Sequence, residues 1–326
     1  MRSAKPVVVV MGTTAADPPP GIGTISGLVD LRYAPDRSSL MDEIPDAEVV
    51  YTWWGEPGDL EAAWSRAMRL RWVQAVNVGI NKLLFHALIE SDVPLTNARG
   101  AAEGPIAESV VGFIVAMAKD FRRTFDAQGA HRWETWDTER IAGSRLLVVG
   151  PGPIGRAIAR AARDGLGMRV EAVGRSGRAD EPDFERVRGS EAFHDALAEA
   201  DVVVDAMPLT ADTRHLFDAA AFVAMKPTAR FVNVGRGATV DEPALIEALI
   251  EGRIAGAALD VFEEEPLSAD SPLWDMPDVI VCAHMSGDVV GWEADFANVF
   301  YDNVGRFVRG EPLRNVVDKR LGFPTG

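Results

Sequence analysis

The chain has 326 residues, 47% of them hydrophobic, and carries 49 acidic against 33 basic side chains for a net charge of −16. Such a length holds two domains with separate cores, and the acidic balance excludes nucleic acid as the default partner, because phosphate contacts need clustered Lys and Arg. No apolar run reaches the length of a membrane span, and the first, "VVVVM" (Val7–Met11), is strand-sized and too short for a secretory signal.

In chain order, β-branched runs predict strands at Val7–Met11, Glu48–Thr52, Trp72–Val76, Arg145–Val149, Arg169–Val173, Asp201–Asp205, Ala229–Val234, Ala255–Leu259 and Val279–Ala283. Helical patterns lie between them, among them Ile106–Asp120, Ile154–Arg163, Glu191–Ala198 and Glu242–Glu251. This alternation predicts parallel sheets with crossover helices, and the strand count predicts two such sheets. The polar, small-residue segment "TNARGAAEGP" (Thr96–Pro105) marks an internal boundary, while the last helical stretch, Trp292–Val308, has no packing partner that the sequence identifies.

Four motifs carry chemistry. In "VVGPGPIGRAIARAA", Gly150, Gly152 and Gly155 form G-x-G-x-x-G after a strand, and Pro153 and Ile154 open the following helix. The glycines permit a tight turn, close approach of a pyrophosphate and close helix–strand packing, with the helix N-terminus facing the phosphate charge. Without its context the motif is only a glycine-rich turn. In "FVNVGRGATVDEPAL", a strand delivers Arg236 between two glycines, either as a bidentate grip for a carboxylate or as a solvated surface arginine. In "ALDVFEEEPL", Asp260 follows a strand and Glu263–Glu265 form an acidic cluster of the kind common in solvated loops. In "VCAHMSGD", His284 emerges past an apolar strand, as Arg236 does, where a carboxylate within reach would orient it as a proton donor. His86, His131, His194 and His215 read as structural. Cys282 is the lone cysteine, which rules out an internal disulfide and argues against a metal site built on cysteine. With the acidic charge and the absence of an apolar span or signal, the expectation is a metal-free cytoplasmic protein.

The order GxGxxG, "NVGRG", "DVFEEEPL" and "H-x-S-G" resembles the D-isomer-specific 2-hydroxyacid dehydrogenase family of the glyoxylate/hydroxypyruvate reductase type, over most of the chain from "VQAVNVGIN" to "GEPLRNVVDK". The resemblance implies an α/β protein of two Rossmann-like or flavodoxin-like doubly wound parallel-sheet domains with a cleft between them. The substrate domain would comprise residues 1–98 and 290–326, and the dinucleotide domain residues 99–289. The implied catalytic set falls on Arg236, Glu265 and His284. Arg236 and His284 would bind substrate, joined by backbone N–H groups of the Val78-Gly79-Ile80-Asn81 turn, where Asn81 replaces the family's aspartate. Asp260 resembles the residue that holds the nicotinamide carboxamide, Met207, Pro208 and Thr213 lie in the loop near the adenine, and Val234 completes the cofactor contacts. Family members pair as homodimers through the cofactor domain, with helices of the Ile106–Arg122 type.

The cofactor is read from "VEAVGRSGR" (Val170–Arg178). The carboxylate that binds an NAD ribose stands about twenty residues past the glycine turn. That place is Gly174 here, followed at once by Arg175, Ser176 and Arg178, the groups a 2′-phosphate needs. The expectation is NADP (NADPH) in preference to NAD, and reduction of a small 2-oxo acid to the D-2-hydroxy acid by hydride transfer. Two rival readings share the fold: a non-catalytic cofactor-sensing protein, and a dehydrogenase of a phosphorylated hydroxyacid or of formate. Trp53, Trp54 and Trp292 are open between pocket lining and core or interface.

Overall fold

A computed structural model describes residues 5–324, and these fall into two compact units, residues 5–102 with 289–324, and Glu103–Asp288. Residues 1–4 and 325–326 of the expected substrate domain lie outside the described residues. The first crossing comes four residues later than the 98/99 boundary expected. Ala98 still donates its N–H to Asn77 O and Asn97 to Asn315 O, so the chain stays with the first unit until a helix starts at Glu103.

The first unit begins with β1 (Val7–Met11), β2 (Asp30–Ala34), α1 (Arg37–Glu43), β3 (Val49–Thr52), α2 (Pro57–Ala63), β4 (Trp72–Ala75), α3 (His86–Glu90) and β5 (Leu95–Thr96). Its parallel sheet has the order β2-β1-β3-β4-β5, a flavodoxin-like winding. The central strands read as unbroken apolar runs because both faces are covered; Val8, Val9, Val10, Val49 and Val50 are all fully buried.

The second unit contains α4 (Glu103–Ala118), α5 (Phe121–Gly129), β6 (Arg145–Val149), α6 (Pro153–Leu166), β7 (Arg169–Val173), β8 (Arg186–Arg188), α7 (Phe193–Glu199), β9 (Val202–Asp205), α8 (Ala219–Ala224), β10 (Arg230–Asn233), α9 (Glu242–Ile250), β11 (Gly256–Leu259) and β12 (Val279–Val281). Its seven strands are all parallel, in the order β12-β11-β10-β9-β6-β7-β8. Counted from β6, that is the Rossmann order 3-2-1-4-5-6 with one strand added, and its switch point lies between β6 and β9. Alternation along β6 sends Leu147 and Val149 to one core with Phe217, Phe222 and Phe231, and Leu146 and Val148 to the other with Ile158 and Val170.

The chain then returns to the first unit as α10 (Trp292–Arg309), ended by Gly310 in the left-handed conformation. The helix has a defined seat. Phe300 stacks on Tyr51 at 4.0 Å and meets Trp72 at 5.6 Å. Beneath it runs a buried polar chain: Trp72 Nε1 donates to Thr96 Oγ1 (2.7 Å), Thr96 Oγ1 to Gln74 Oε1 (2.7 Å), and Asn303 Nδ2 to the same Oε1 (3.2 Å). Asn303 also donates to Arg314 O and accepts from Arg314 N–H. Trp53 is buried, whereas Trp54 is half-exposed and meets Trp292 edge-on at 5.7 Å.

Losing one side of a buried hydrogen-bond set leaves its partners unsatisfied, so Asn303→Ala is expected to cost about 2–4 kcal/mol. Urea unfolding of the two proteins measures this, and a difference below about 0.5 kcal/mol would show that apolar packing alone seats α10.

Candidate active site

The glycine-rich turn stands at the sheet's switch point. Gly150 has φ 105°, and a Cβ on Gly155 would come within 2.2 Å of Gly150 O, so α6 starts as close to β6 as a backbone allows. Gly152, the N-cap of α6, has nothing within 4 Å of where its Cβ would stand. With Pro153 in the first turn, where a missing N–H costs nothing, this is a bare helix N-terminus that a pyrophosphate can approach. The turn therefore fits a dinucleotide, which Gly150, Gly152, Pro153, Ile154 and Gly155 would hold.

The chemical side chains stand on loops that leave the carboxyl ends of the neighbouring strands β10, β11 and β12. Arg236 follows β10, partly buried, with Nη1 donating to Gly235 O. Burial pulls its guanidinium below the usual arginine range, while Glu265 and Asp205 oppose that shift. Glu265, after β11, accepts the Phe262 N–H at Oε1 (3.1 Å) and contacts His284 Nδ1 through Oε2 at 2.9 Å. His284 has φ 53°, a left-handed backbone that costs energy in a residue with a Cβ. What holds it there is Asp260, whose Oδ1 accepts the N–H groups of Met285 (2.9 Å) and Ser286 (3.1 Å). The structure thus gives buried Asp260 an anchoring task that its motif did not suggest.

Two groups escaped the sequence reading. Asp205 ends β9 with no exposure, accepts from Met207 N–H (2.9 Å) and Thr239 Oγ1, and is pushed up to about 7 by burial. The signal was there, an acid closing the apolar run "VVV". His215, read as structural, has φ 51° and sets Nε2 at 2.7 Å from Glu263 Oε1, a second histidine–glutamate contact on the loop that carries Glu265.

The remaining expected cofactor contacts are distributed along the same sheet edge. Met207 and Pro208 follow β9, where Thr213 Oγ1 donates to Pro208 O at 2.8 Å, and Val234 follows β10 with its N–H on Asp205 O. Arg175, Ser176 and Arg178 lie in an exposed turn after β7. Arg178 there meets Glu181 at 3.3 Å, and Arg156 grips Glu181 with both nitrogens at 2.6 and 3.0 Å, holding that carboxyl below its usual range. Gly174 has a steric role as well, since a Cβ would stand 2.9 Å from Pro151 Cγ. Val78 and Gly79 belong to the first unit, after β4, where Asn97 Nδ2 donates to Val78 O at 2.7 Å.

Residues 111–286 match the family described as D-isomer specific 2-hydroxyacid dehydrogenase, NAD binding domain. A glyoxylate/hydroxypyruvate reductase B from Pectobacterium carotovorum subsp. carotovorum is 33% identical over 260 residues, 78% of this chain and 81% of that one. Among solved structures, a D-isomer specific 2-hydroxyacid dehydrogenase family protein from Aeromonas salmonicida subsp. salmonicida superposes with TM-score 0.84 at 32% identity, covering 97% of this chain and 100% of the other. An NADPH-dependent glyoxylate/hydroxypyruvate reductase from Sinorhizobium meliloti, solved with NADP and sulfate, gives 0.83 at 26% identity, covering 98% and 100%. The two parallel sheets, the glycine turn and these matches agree: the chain belongs to the D-isomer specific 2-hydroxyacid dehydrogenase family.

Proposed function

We propose that this protein is an NADP-preferring oxidoreductase that reduces a small 2-oxo acid to the D-2-hydroxy acid, and runs the reverse reaction, with Arg236, Glu265 and His284 as its catalytic set. The observation that carries the reading is the His284–Glu265 contact at 2.9 Å, on loops adjoining the one that bears Arg236. The glyoxylate/hydroxypyruvate names of the relatives make those two acids the first substrates to test.

When bound, NADPH supplies the hydride for C2 of the substrate. Arg236 grips the substrate's carboxylate and carbonyl oxygen with a planar fork, strengthened by partial removal from water. Nδ1 of His284 is committed to Glu265, so Nε2 is the nitrogen that faces the substrate and gives up its proton as charge grows on the carbonyl oxygen. Glu265 fixes the tautomer and stabilises the imidazolium in the protonated state. We assign the cofactor to the second unit, and to the first a share in substrate recognition through the backbone N–H groups of Val78 and Gly79. We further propose a homodimer acting in the cytoplasm. The pairing surface would lie on the second unit, where Phe125 is 64% and Trp133 99% exposed at and beyond α5.

Three outcomes follow. His284→Ala is expected to lower kcat by at least about a hundredfold with NADPH affinity retained, because proton donation is lost; near wild-type turnover would remove His284 from the mechanism. The wild type is expected to favour NADPH over NADH by about tenfold to several hundredfold in kcat/KM, and Arg175→Ala with Arg178→Ala to erase most of that through KM for NADPH. These changes are cleaner than an acid at position 174, whose Cβ would push on Pro151. A wild type that prefers NADH would show that the basic turn never meets the cofactor. Light scattering tests the pairing: Phe125→Asp with Trp133→Ser should yield monomers, and an unchanged mass would place the interface elsewhere.

A further inference from the structure

We propose that Asp205 is a positioning residue for Arg236, and that the protein binds small carboxylate anions more weakly once Asp205 loses its proton. The inference rests on the reading of Arg236 as the carboxylate grip, and it concerns a group that the proposed chemistry does not use.

The geometry ties the two residues through a single hydroxyl. Thr239 Oγ1 lies in hydrogen-bond reach of both Asp205 Oδ2 and the carbonyl oxygen of Arg236. A threonine hydroxyl has one proton to give. With Asp205 ionised, that proton goes to the carboxylate, and Arg236 O keeps only the Thr239 N–H (3.1 Å) and Asn233 Nδ2 (3.3 Å). With Asp205 protonated, its own O–H donates to Thr239, whose proton then turns to Arg236 O. The state of one buried carboxyl therefore decides how firmly the turn bearing Arg236 is closed.

Charge acts in the same direction. Asp205 has no exposure, and a Cβ on Gly235, the residue before Arg236, would stand only 3.1 Å from its Oδ1. The groups facing it are Met207 N–H from its own strand end, Thr239, and the Arg236 guanidinium. Glu265 faces Arg236 from the next loop and carries His284. An ionised Asp205 competes with an incoming carboxylate for the field of Arg236, in a place where water screens little. Burial pushes the Asp205 carboxyl up to about 7.

Asp205→Asn reproduces the protonated state, since its Oδ1 still accepts from Met207 and its amide donates to Thr239. The probe is oxamate, an unreactive 2-oxo acid analogue, whose Kd for the NADPH-loaded protein is read by nucleotide fluorescence from pH 6 to 9. Any pH dependence that does not come from Asp205 is common to both proteins, so the contribution of Asp205 is the difference between the two curves. Wild-type Kd should rise about tenfold more than that of Asp205→Asn across this range; superimposed curves would overturn the inference. If Asp205→Asn does not fold, Thr239→Val serves. It removes a donor to the carboxylate and should move the wild-type transition to higher pH, and an unmoved transition would equally overturn the proposal.

Arg236→Gln separates this inference from the reading beneath it. Unchanged oxamate binding in that variant defeats the assignment of Arg236 itself. Lost binding there, with superimposed wild-type and Asp205→Asn curves, defeats only the role of Asp205. A ligand-free check uses linkage. A carboxyl raised in the folded state keeps a proton that the unfolded chain has released, so its stabilising share is present below about 4 and is lost as pH rises through about 7. Wild-type Tm should therefore fall relative to Asp205→Asn between pH 5 and 8, and parallel Tm curves would show that Asp205 does not titrate there and end the proposal.

Discussion

A Cβ at Gly237 would lie 1.8 Å from the carbonyl carbon of Phe262, and one at Gly155 would lie 2.2 Å from the carbonyl oxygen of Gly150. Backbone passes backbone at these points with no room for a side chain, and the candidate site is built on those crossings. The first lays the loop carrying Glu265 directly over the turn carrying Arg236. The second sets the N-terminus of α6 against the end of β6, where a diphosphate is best received. Parallel strands end at a common edge, so loops from neighbouring strands must crowd one another there. Glycine turns that crowding into juxtaposition of chemical groups.

Rigid support around His284 follows the same logic. Its left-handed backbone is unfavourable in isolation and is held by two N–H groups donated to buried Asp260, while Glu265 fixes the ring. Both anchors, Asp260 and Glu265, stand on the loop after β11, and they orient a histidine carried by the loop after β12. His215 and Glu263 add a second tie, from the segment after Thr213, so the loop of Glu265 is held at Asp260 before Phe262 and at Glu263 after it.

The sequence showed most of the sheet because buried parallel strands are apolar on both faces and stand out as β-branched runs; β1, β6 and β7 occupy the residues expected of them. It did not show β2, β5 or β8. "DLRYA" and "RVR" carry charge on sheet edges that need no apolar face, and Leu95–Thr96 is too short for any period. Arg236 and His284 stood out as polar residues emerging at strand ends. Glu265 read by itself as part of a solvated acidic loop and was singled out only by the family resemblance; the fold sets it 2.9 Å from His284 Nδ1. Asp205 belonged to a predicted strand and was passed over, since only the fold reveals that its end lies beneath Arg236. Gly174 was read as an absent carboxylate, whereas the structure adds that Pro151 leaves its Cβ little space. The packing of α10 was also hidden, because its partners Tyr51, Trp72 and Gln74 are more than two hundred residues away in sequence.

A chain of net charge −16 that takes anionic ligands has to reverse its sign locally. Beyond about 8–10 Å, salt screens the acidic surface, so the decision falls to the donors within direct reach. Those donors are of two kinds. The start of α6 offers backbone N–H groups whose partial charge cannot titrate, which suits a cofactor whose charge is constant near neutrality. Arg236 offers a full charge, but one flanked by Glu265 and Asp205, which keep an otherwise isolated, partly buried cation from standing uncompensated. The compensation has a consequence for binding. If Arg236 is the carboxylate grip proposed above, the carboxylates that compensate it are the ones an incoming carboxylate would have to compete with, and Asp205 is fully buried, its carboxyl pushed up to about 7 by that burial.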